Sequence, residues 1–271
     1  MTDVAEKRAK FRALHEKGCF VIPNPWDIGS ARLLQDMGFA ALATTSSGFA
    51  WTQGRPDYAV TRDMVLAHLM SLCAATDLPV NADFENGFAE KPEDVAANVR
   101  QAAKTGIAGL SIEDTRTDGK GLYDLPTAVA RIKAAKQAAE AEGVMLVART
   151  EIMLHDGSAF APALEKIKAF ADAGADVLFA PGVVKPDEIA AMVKAVAPKP
   201  LSYMMFDYDQ SVAQLGELGV RRISVGGSLA RVGWNAVRGA AEQLLAGSFH
   251  GLNTKGPGKP LNEVFRSFGP A

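Results

Sequence analysis

The sequence predicts an α/β fold, a single (β/α)8 TIM-type barrel, and three observations predict it. A helical stretch, a Gly and a short apolar run ending in polar residues recur as MGFAALATTSS, TGIAGLSIEDT, AGADVLFAPG and LGVRRISVGG. Gly38, Gly106 and Gly174 within these phrases stand 68 residues apart, twice a repeat of roughly 34 residues. Filling in the intermediate units yields eight apolar runs, the number that closes such a barrel.

The first run lies near 19–24 (CFVIPN), after a charged helical stretch, and the second near 40–45 (AALATT), after the Gly38 stop. The third, 79–83 (PVNAD), leads into PEDVAANVRQAAKTG, whose apolar residues recur at helical spacing. The fourth, 108–113 (AGLSIE), follows Gly106 and precedes LYDLPTAVARIKAAKQAAEAEG, a second amphipathic segment. The remaining runs fall near 144–149, 176–180, 201–205 and 221–225. Each Gly suits a helix C-cap and each continuous apolar run a strand buried on both faces. Alternation of β and α implies a parallel sheet. A doubly wound sheet is the rival, but no GxGxxG follows a strand. Residues 1–271 read as one barrel domain, with 248–271 as a Gly/Pro-containing C-terminal arm.

At 271 residues, 48% hydrophobic and 22% charged, the chain has the composition of a packed globular enzyme. Its net charge of −2 leaves no basic surplus for a phosphate backbone, so nucleic acid is not an expected partner. No apolar stretch reaches the roughly 18 residues of a membrane span, and the start MTDVAEKRAKFRALHEKG is charged rather than leader-like. A cytoplasmic protein with a small-molecule substrate is expected. Cys19 and Cys73 form no CxxC, which removes a disulfide framework and a thiolate zinc site. His15, His68, His155 and His250 are scattered and read as surface or packing residues, which disfavours Ser/His/Asp hydrolysis.

In a parallel barrel the C-terminal strand ends share one mouth. Strand two ends in Thr45, Ser46, Ser47 and Gly48, strand three in Asp83, Glu85 and Asn86, strand four in Glu113 and Asp114, and strand five in Arg149 and Glu151. Asp83 and Glu85, two apart in an extended segment, would face one side, with Glu113 on the adjacent strand. Three converging carboxylates repel unless a hard divalent cation or an arginine joins them. Arg149 is placed to grip a carboxylate bidentately. The SSG turn at 46–48 offers hydroxyls and N–H groups to an oxyanion, or is an ordinary turn.

At these residues the sequence resembles the isocitrate lyase/phosphoenolpyruvate mutase superfamily, through NPWDIGSARLL, TTSSG, GRPD, NADFENGF, SIED and VART, over nearly the whole chain. The resemblance implies that Asp83, Glu85 and Glu113 form a Mg²⁺ site, with part of the ligation through water and Mn²⁺ as the alternative ion. It implies that Asp57 of GRPD is a catalytic acidic residue near the metal, that Arg149 anchors the substrate carboxylate, and that Ser46, Ser47, Gly48 and Asp83 bind the oxo acid. It further implies a homotetramer with the last helix exchanged between neighbouring barrels.

The chemistry so implied is formation of an enolate from a small 2-oxo or 2-hydroxy carboxylic acid. The KKCGH loop whose Cys serves the isocitrate and methylisocitrate lyases is missing, and so is the longer lid of the phosphonopyruvate enzymes, where this chain reads TRTDGKGLYDLP. Decarboxylation or C–C cleavage of an oxaloacetate-like acid asks least of the residues that remain, with Tyr123 or water as acid–base group. The alternatives are a phosphonopyruvate-type P–C bond enzyme and a non-catalytic 2-oxo acid binder.

Overall fold

The structure, a computed structural model, describes residues 2–253, 256 and 258–269. In chain order the elements are α1 (Val4–Leu14), β1 (Phe20–Val21), α2 (Ile28–Asp36), β2 (Leu42–Ala43), α3 (Ser46–Thr52), α4 (Arg62–Ala75), β3 (Val80–Asp83), α5 (Pro92–Ala103), β4 (Gly109–Glu113), α6 (Leu125–Ala141), β5 (Met145–Arg149), α7 (Ile152–His155), α8 (Phe160–Asp172), β6 (Val177–Phe179), α9 (Pro186–Val196), β7 (Leu201–Met204), α10 (Val212–Glu217), β8 (Arg222–Ser224), α11 (Ser228–Leu245) and α12 (Leu261–Arg266). All eight apolar runs form strands. They lie parallel in one sheet of order β1-β8-β7-β6-β5-β4-β3-β2.

The two ends of that order meet. Ala43 N–H donates to the Pro23 carbonyl at 3.0 Å. Asn24 spans the seam, donating to the Thr44 carbonyl at 3.0 Å and accepting from Val225 N–H at 2.9 Å. The strands therefore curl round as in a TIM-type barrel.

Two apolar clusters follow from the two-residue alternation of the strands. Ile22, Ala43, Met145, Val147, Val177 and Phe179 pack inside the curl together with Phe11 of α1. Gly109 makes room for that ring, since a Cβ there would lie 2.6 Å from Phe11 Cε1. The larger cluster, with Leu110, Ile112, Leu146 and Leu178, lies between sheet and helices. Because Met145 and Val147 face inward, Arg149 does too. Its register partner Glu113 shares that face, as does Asp83, paired with Ser111.

The helices carry the expected apolar stripes, with two exceptions that matter. Arg131 sits among the buried residues of α6, and Lys166 among those of α8. At the C-terminal end, α12 docks on its own chain's α2: Val264 is buried, Lys259 pairs with Asp36 at 3.0 Å, and the Arg32 guanidinium lies 5.1 Å from the Phe268 ring centroid. Parts of the expected arm, residues 254, 255, 257, 270 and 271, lie outside the described residues. By contrast α11 buries only Ala230 and leaves Val232, Trp234, Val237 and Leu245 exposed. Among the described residues no helix is long and apolar enough to cross a membrane.

Candidate active site

The inward-facing ends of β3, β4 and β5 bring Asp83, Glu113 and Arg149 together. Arg149 Nη1 lies 3.5 Å from Asp83 Oδ1, and its Nε lies 3.6 Å from Glu113 Oε2 while also pairing with Glu151. Burial opposes the guanidinium's charge, but Glu151, Glu113 and Asp83 together hold its pKa well above the ordinary value. Asp83 is fixed from behind, its Oδ2 accepting from Ser46 N–H at 3.0 Å and its own N–H donating to Thr44 Oγ1 at 2.8 Å.

Glu85 arrives by a different route from the extended one expected. β3 stops at Asp83, and Glu85 and Phe88 adopt left-handed conformations, φ 46° and 54°, in a turn closed by Gly87 N–H to the Phe84 carbonyl at 2.9 Å. The alternation argument fails there because a left-handed residue breaks strand parity, at a cost of about 1–2 kcal/mol per non-Gly residue. Arg131 supports this turn through the carbonyls of Asn86, Ala89 and Glu90. Glu85 is buried, and its Oε1 has no hydrogen-bond partner among the described residues.

Burial first, then Asp83 and Glu113, push the Glu85 carboxyl up to about 9. Burial also raises Glu113 to about 8, with Arg149 opposing and Glu151 and Asp83 reinforcing. These carboxyls bind more protons folded than unfolded from about pH 4.5 upward, so their contribution to stability is full below that value and disappears as pH rises through 8–9. The metal-free protein is expected to lose about 1–3 kcal/mol of stability per pH unit between pH 6 and 8. Urea unfolding across that range will show the loss; a pH-independent midpoint would refute the assignment.

Behind the mouth, Asp114 is the hub of a buried network. Its Oδ2 accepts from Lys166 Nζ at 2.6 Å and from Thr150 Oγ1 at 2.8 Å, and its Oδ1 accepts from Glu151 N–H at 2.9 Å. Lys166 also reaches the Tyr123 carbonyl at 3.0 Å. The network sets the backbone of Glu151, whose carboxylate in turn grips Arg149.

The SSG turn opens α3, and several of its donors serve the fold. Ser46 N–H goes to Asp83, Gly48 N–H to Thr45 Oγ1 at 3.3 Å, and Ser47 Oγ shares a hydrogen bond with Thr45 Oγ1 at 3.1 Å. Gly48 is required by packing, for a Cβ would stand 2.5 Å from Thr45 Cγ2 and 3.0 Å from Trp26 Cβ. The opening beside Ser47 comes from Gly227, where a Cβ would fall 2.6 Å from Ser47 Oγ.

Asp57 lies on the exposed loop before α4, its carboxyl raised by burial of that group and by Asp83, against Ser46 and Arg149. The structure does not bring Tyr123 to the carboxylates by any hydrogen bond. Its ring lies under Arg131, 4.2 Å from the guanidinium, and its buried hydroxyl has no partner among the described residues. Tyr58 takes the place beside Glu113, with its hydroxyl donating to Oε1 at 2.7 Å. Burial and the nearby Glu113 and Glu151 raise its pKa, so the phenol stays protonated. Tyr58 also has a left-handed backbone, φ 61°, a strain typical of functional positions.

Sequence reasoning missed Tyr58, Lys166 and Arg131 as parts of this assembly. A cation on the apolar stripe of α6 or α8 was a legible signal, since a buried cation requires partners. Nothing in GRPDY marks Tyr58.

Among the described residues no three His, Cys, Asp or Glu side chains converge closely enough to hold an ion by themselves. The acidic site expected of Asp83, Glu85 and Glu113, with part of its ligation through water, takes the form of carboxylates spread around Arg149. That donor set still fits Mg²⁺, which keeps several waters and takes one or two carboxylates directly. Asp57, Asp83, Glu85 and Glu113 gather carboxyl oxygens around a single arginine, and the Glu85 oxygen has no hydrogen-bond partner among the described residues.

Residues 11–245 match the model of the phosphoenolpyruvate phosphomutase family. A Burkholderia cenocepacia protein assigned provisionally as a lyase/mutase has a solved structure that superposes with a TM-score of 0.91, at 45% identity over 97% of this chain and 98% of that one. A protein of Corynebacterium glutamicum assigned provisionally as a 2-methylisocitrate lyase is 29% identical over 80% of this chain and 68% of its own length. An oxaloacetate decarboxylase of Paraburkholderia xenovorans is 27% identical over 80% and 74% respectively.

Proposed function

The chain belongs to the phosphoenolpyruvate phosphomutase family, and from that premise we propose that it is a Mg²⁺-dependent lyase acting on a small 2-oxo or 2-hydroxy carboxylic acid by way of an enolate. Decarboxylation or C–C cleavage of an oxaloacetate-like acid is the reading the site supports best. The observation that carries it is the arrangement of Arg149 among Asp83, Glu113 and Glu151 with the protonated Tyr58 hydroxyl on Glu113. An anchor for a carboxylate thus lies beside a proton donor, while the acid–base Cys of the methylisocitrate lyases has no counterpart.

Asp83, Glu85 and Glu113 would hold the ion, directly or through water, with Asp57 at its edge. When bound, Mg²⁺ supplies Lewis-acid stabilisation of the negative charge that develops on the substrate's 2-oxygen. Arg149 keeps guanidinium N–H groups beyond those facing Asp83, Glu113 and Glu151, and these bind and orient the substrate carboxylate. As the C3–C4 bond breaks and CO2 leaves, its electron pair moves toward the 2-oxygen. Tyr58 hands a proton to C3 and recovers one from solvent, to which the residue is 47% exposed.

The test is incubation with Mg²⁺ and, separately, oxaloacetate, 2-methylisocitrate and phosphonopyruvate, following pyruvate, succinate and phosphate. Turnover of a carbon acid is expected, lost in Glu113→Gln and reduced about 10²-fold in Tyr58→Phe, a typical contribution of a positioned general acid. Phosphate release alone would replace this reading with P–C bond chemistry, and tight binding without turnover would replace it with a binding protein.

We also propose a homotetramer in which α11 packs on a neighbouring copy. Its apolar residues have little cover from their own barrel, and exposed patches of that kind mark interfaces. Light scattering should return about four times 28.7 kDa; a monomer would rule this packing out.

A further inference from the structure

At the opposite end of the barrel from the carboxylate cluster, a buried arginine has no negative partner. Arg222 is the first residue of β8, in register with Ser202 of β7. Its Nε donates to Ser202 Oγ at 3.0 Å and its Nη1 to Asn81 Oδ1 at 3.2 Å. β8 and β3 are not neighbours in the sheet, so the bond to Asn81 crosses the interior. Both acceptors are neutral, and the other N–H groups of the guanidinium have no acceptor among the described residues. Burial alone acts on its pKa, lowering it to about 9, and the side chain stays charged at neutral pH.

The groups around it offer no compensation. Asp83, two residues beyond Asn81, is engaged by Arg149 and by Ser46 N–H. His15 of α1 packs edge-on against Phe11 and Phe20, with ring centroids 4.7 and 5.2 Å apart, and Phe20 is in register with Arg222. Burial first, then the charge of Arg222, hold the His15 pKa down to about 3, so the ring is neutral. Its Nδ1 bonds the Phe11 carbonyl at 2.7 Å, and its buried Nε2 has no partner among the described residues. A charge held out of water without a partner is costly, and folded proteins pair such groups.

We infer that Arg222 holds a small monovalent inorganic anion, of chloride size, at the end of the barrel that α1 covers. The anion accepts from the N–H groups left over by Ser202 and Asn81. Through the shared guanidinium it ties β3, β7 and β8 together, and its role is structural. Arg222 is only 2% exposed, which suits a halide rather than a phosphate or an organic acid. The site is separate from the mouth and does not depend on the chemistry proposed there.

The experiment follows thermal unfolding of the full-length protein as sodium gluconate is replaced by sodium chloride or bromide at constant ionic strength. The midpoint should rise and saturate, standing about 4–8 °C higher at roughly 30 times the dissociation constant. In Arg222→Met the halide dependence should vanish. Crystals of the unaltered protein grown in bromide, measured at the bromine absorption edge, should show an anomalous peak in contact with the Arg222 guanidinium, which decides the matter even if the variant does not fold. A midpoint indifferent to halide, an equal rise in Arg222→Met, or density for water alone beside Arg222 would each overturn the assignment.

Discussion

Replacing Arg149 by Lys is expected to lower kcat/KM by about 10²–10³-fold, the scale on which loss of a preorganised charge contact is felt. A lysine is the same charge but a different shape. Arg149 faces Glu113 and Glu151 with Nε and Asp83 with Nη1, and still has N–H groups for a ligand. An ammonium on a flexible stem cannot span three carboxylates and also offer a planar pair of donors. Steady-state kinetics on whichever acid is turned over will measure the change, and titration with oxalate supplies a check independent of turnover. Near-native kcat/KM in the Arg149→Lys protein would show that the anchor lies elsewhere.

The second large effect concerns stability. Lys166→Met should cost about 3–5 kcal/mol, because removing one partner of a buried pair leaves the other charge without compensation. The side chains of Lys166 and Asp114 are 10% and 1% exposed, so water cannot take the lysine's place. The double variant Lys166→Met/Asp114→Asn should recover much of the loss, since the amide oxygen can still accept from Glu151 N–H while the stranded charge is gone. Urea unfolding of the three proteins decides the matter. A double variant no more stable than Lys166→Met would indicate that shape, not charge, dominates at that position.

Both effects pass through β5. Arg149 is its last residue, and Thr150 and Glu151, which follow it, bind the Asp114 hub. Loosening Lys166 should therefore also disturb Arg149, which couples the stability of α8 to the grip on substrate.

Much of the architecture was legible beforehand for a local reason. Strand runs such as VMLVAR and helix stops such as Gly38, Gly106 and Gly174 announce themselves over a few residues, and their positive φ angles of 89°, 93° and 101° are what a glycine stop is for. The inward facing of Asp83, Glu113 and Arg149 follows from strand alternation alone. Glu85 shows the limit of that rule. Its left-handed backbone lies just past the point where alternation ends, in a turn supported by Arg131, which stands 45 residues beyond Asn86 in the chain.

The amino-acid sequence by itself determined the eight βα units, the family and the strand ends at which carboxylates and an arginine would collect. Only the tertiary structure decided which of those groups touch. Tyr58 reaches Glu113 across 55 residues, and Lys166 reaches Asp114 across 52. Tyr123, which reads as well placed along the chain, is turned instead beneath Arg131. The physical reason is that periodicity and turn chemistry are set by neighbours in the chain, whereas a charge finds its partner only after the strands have curled together and water has been excluded.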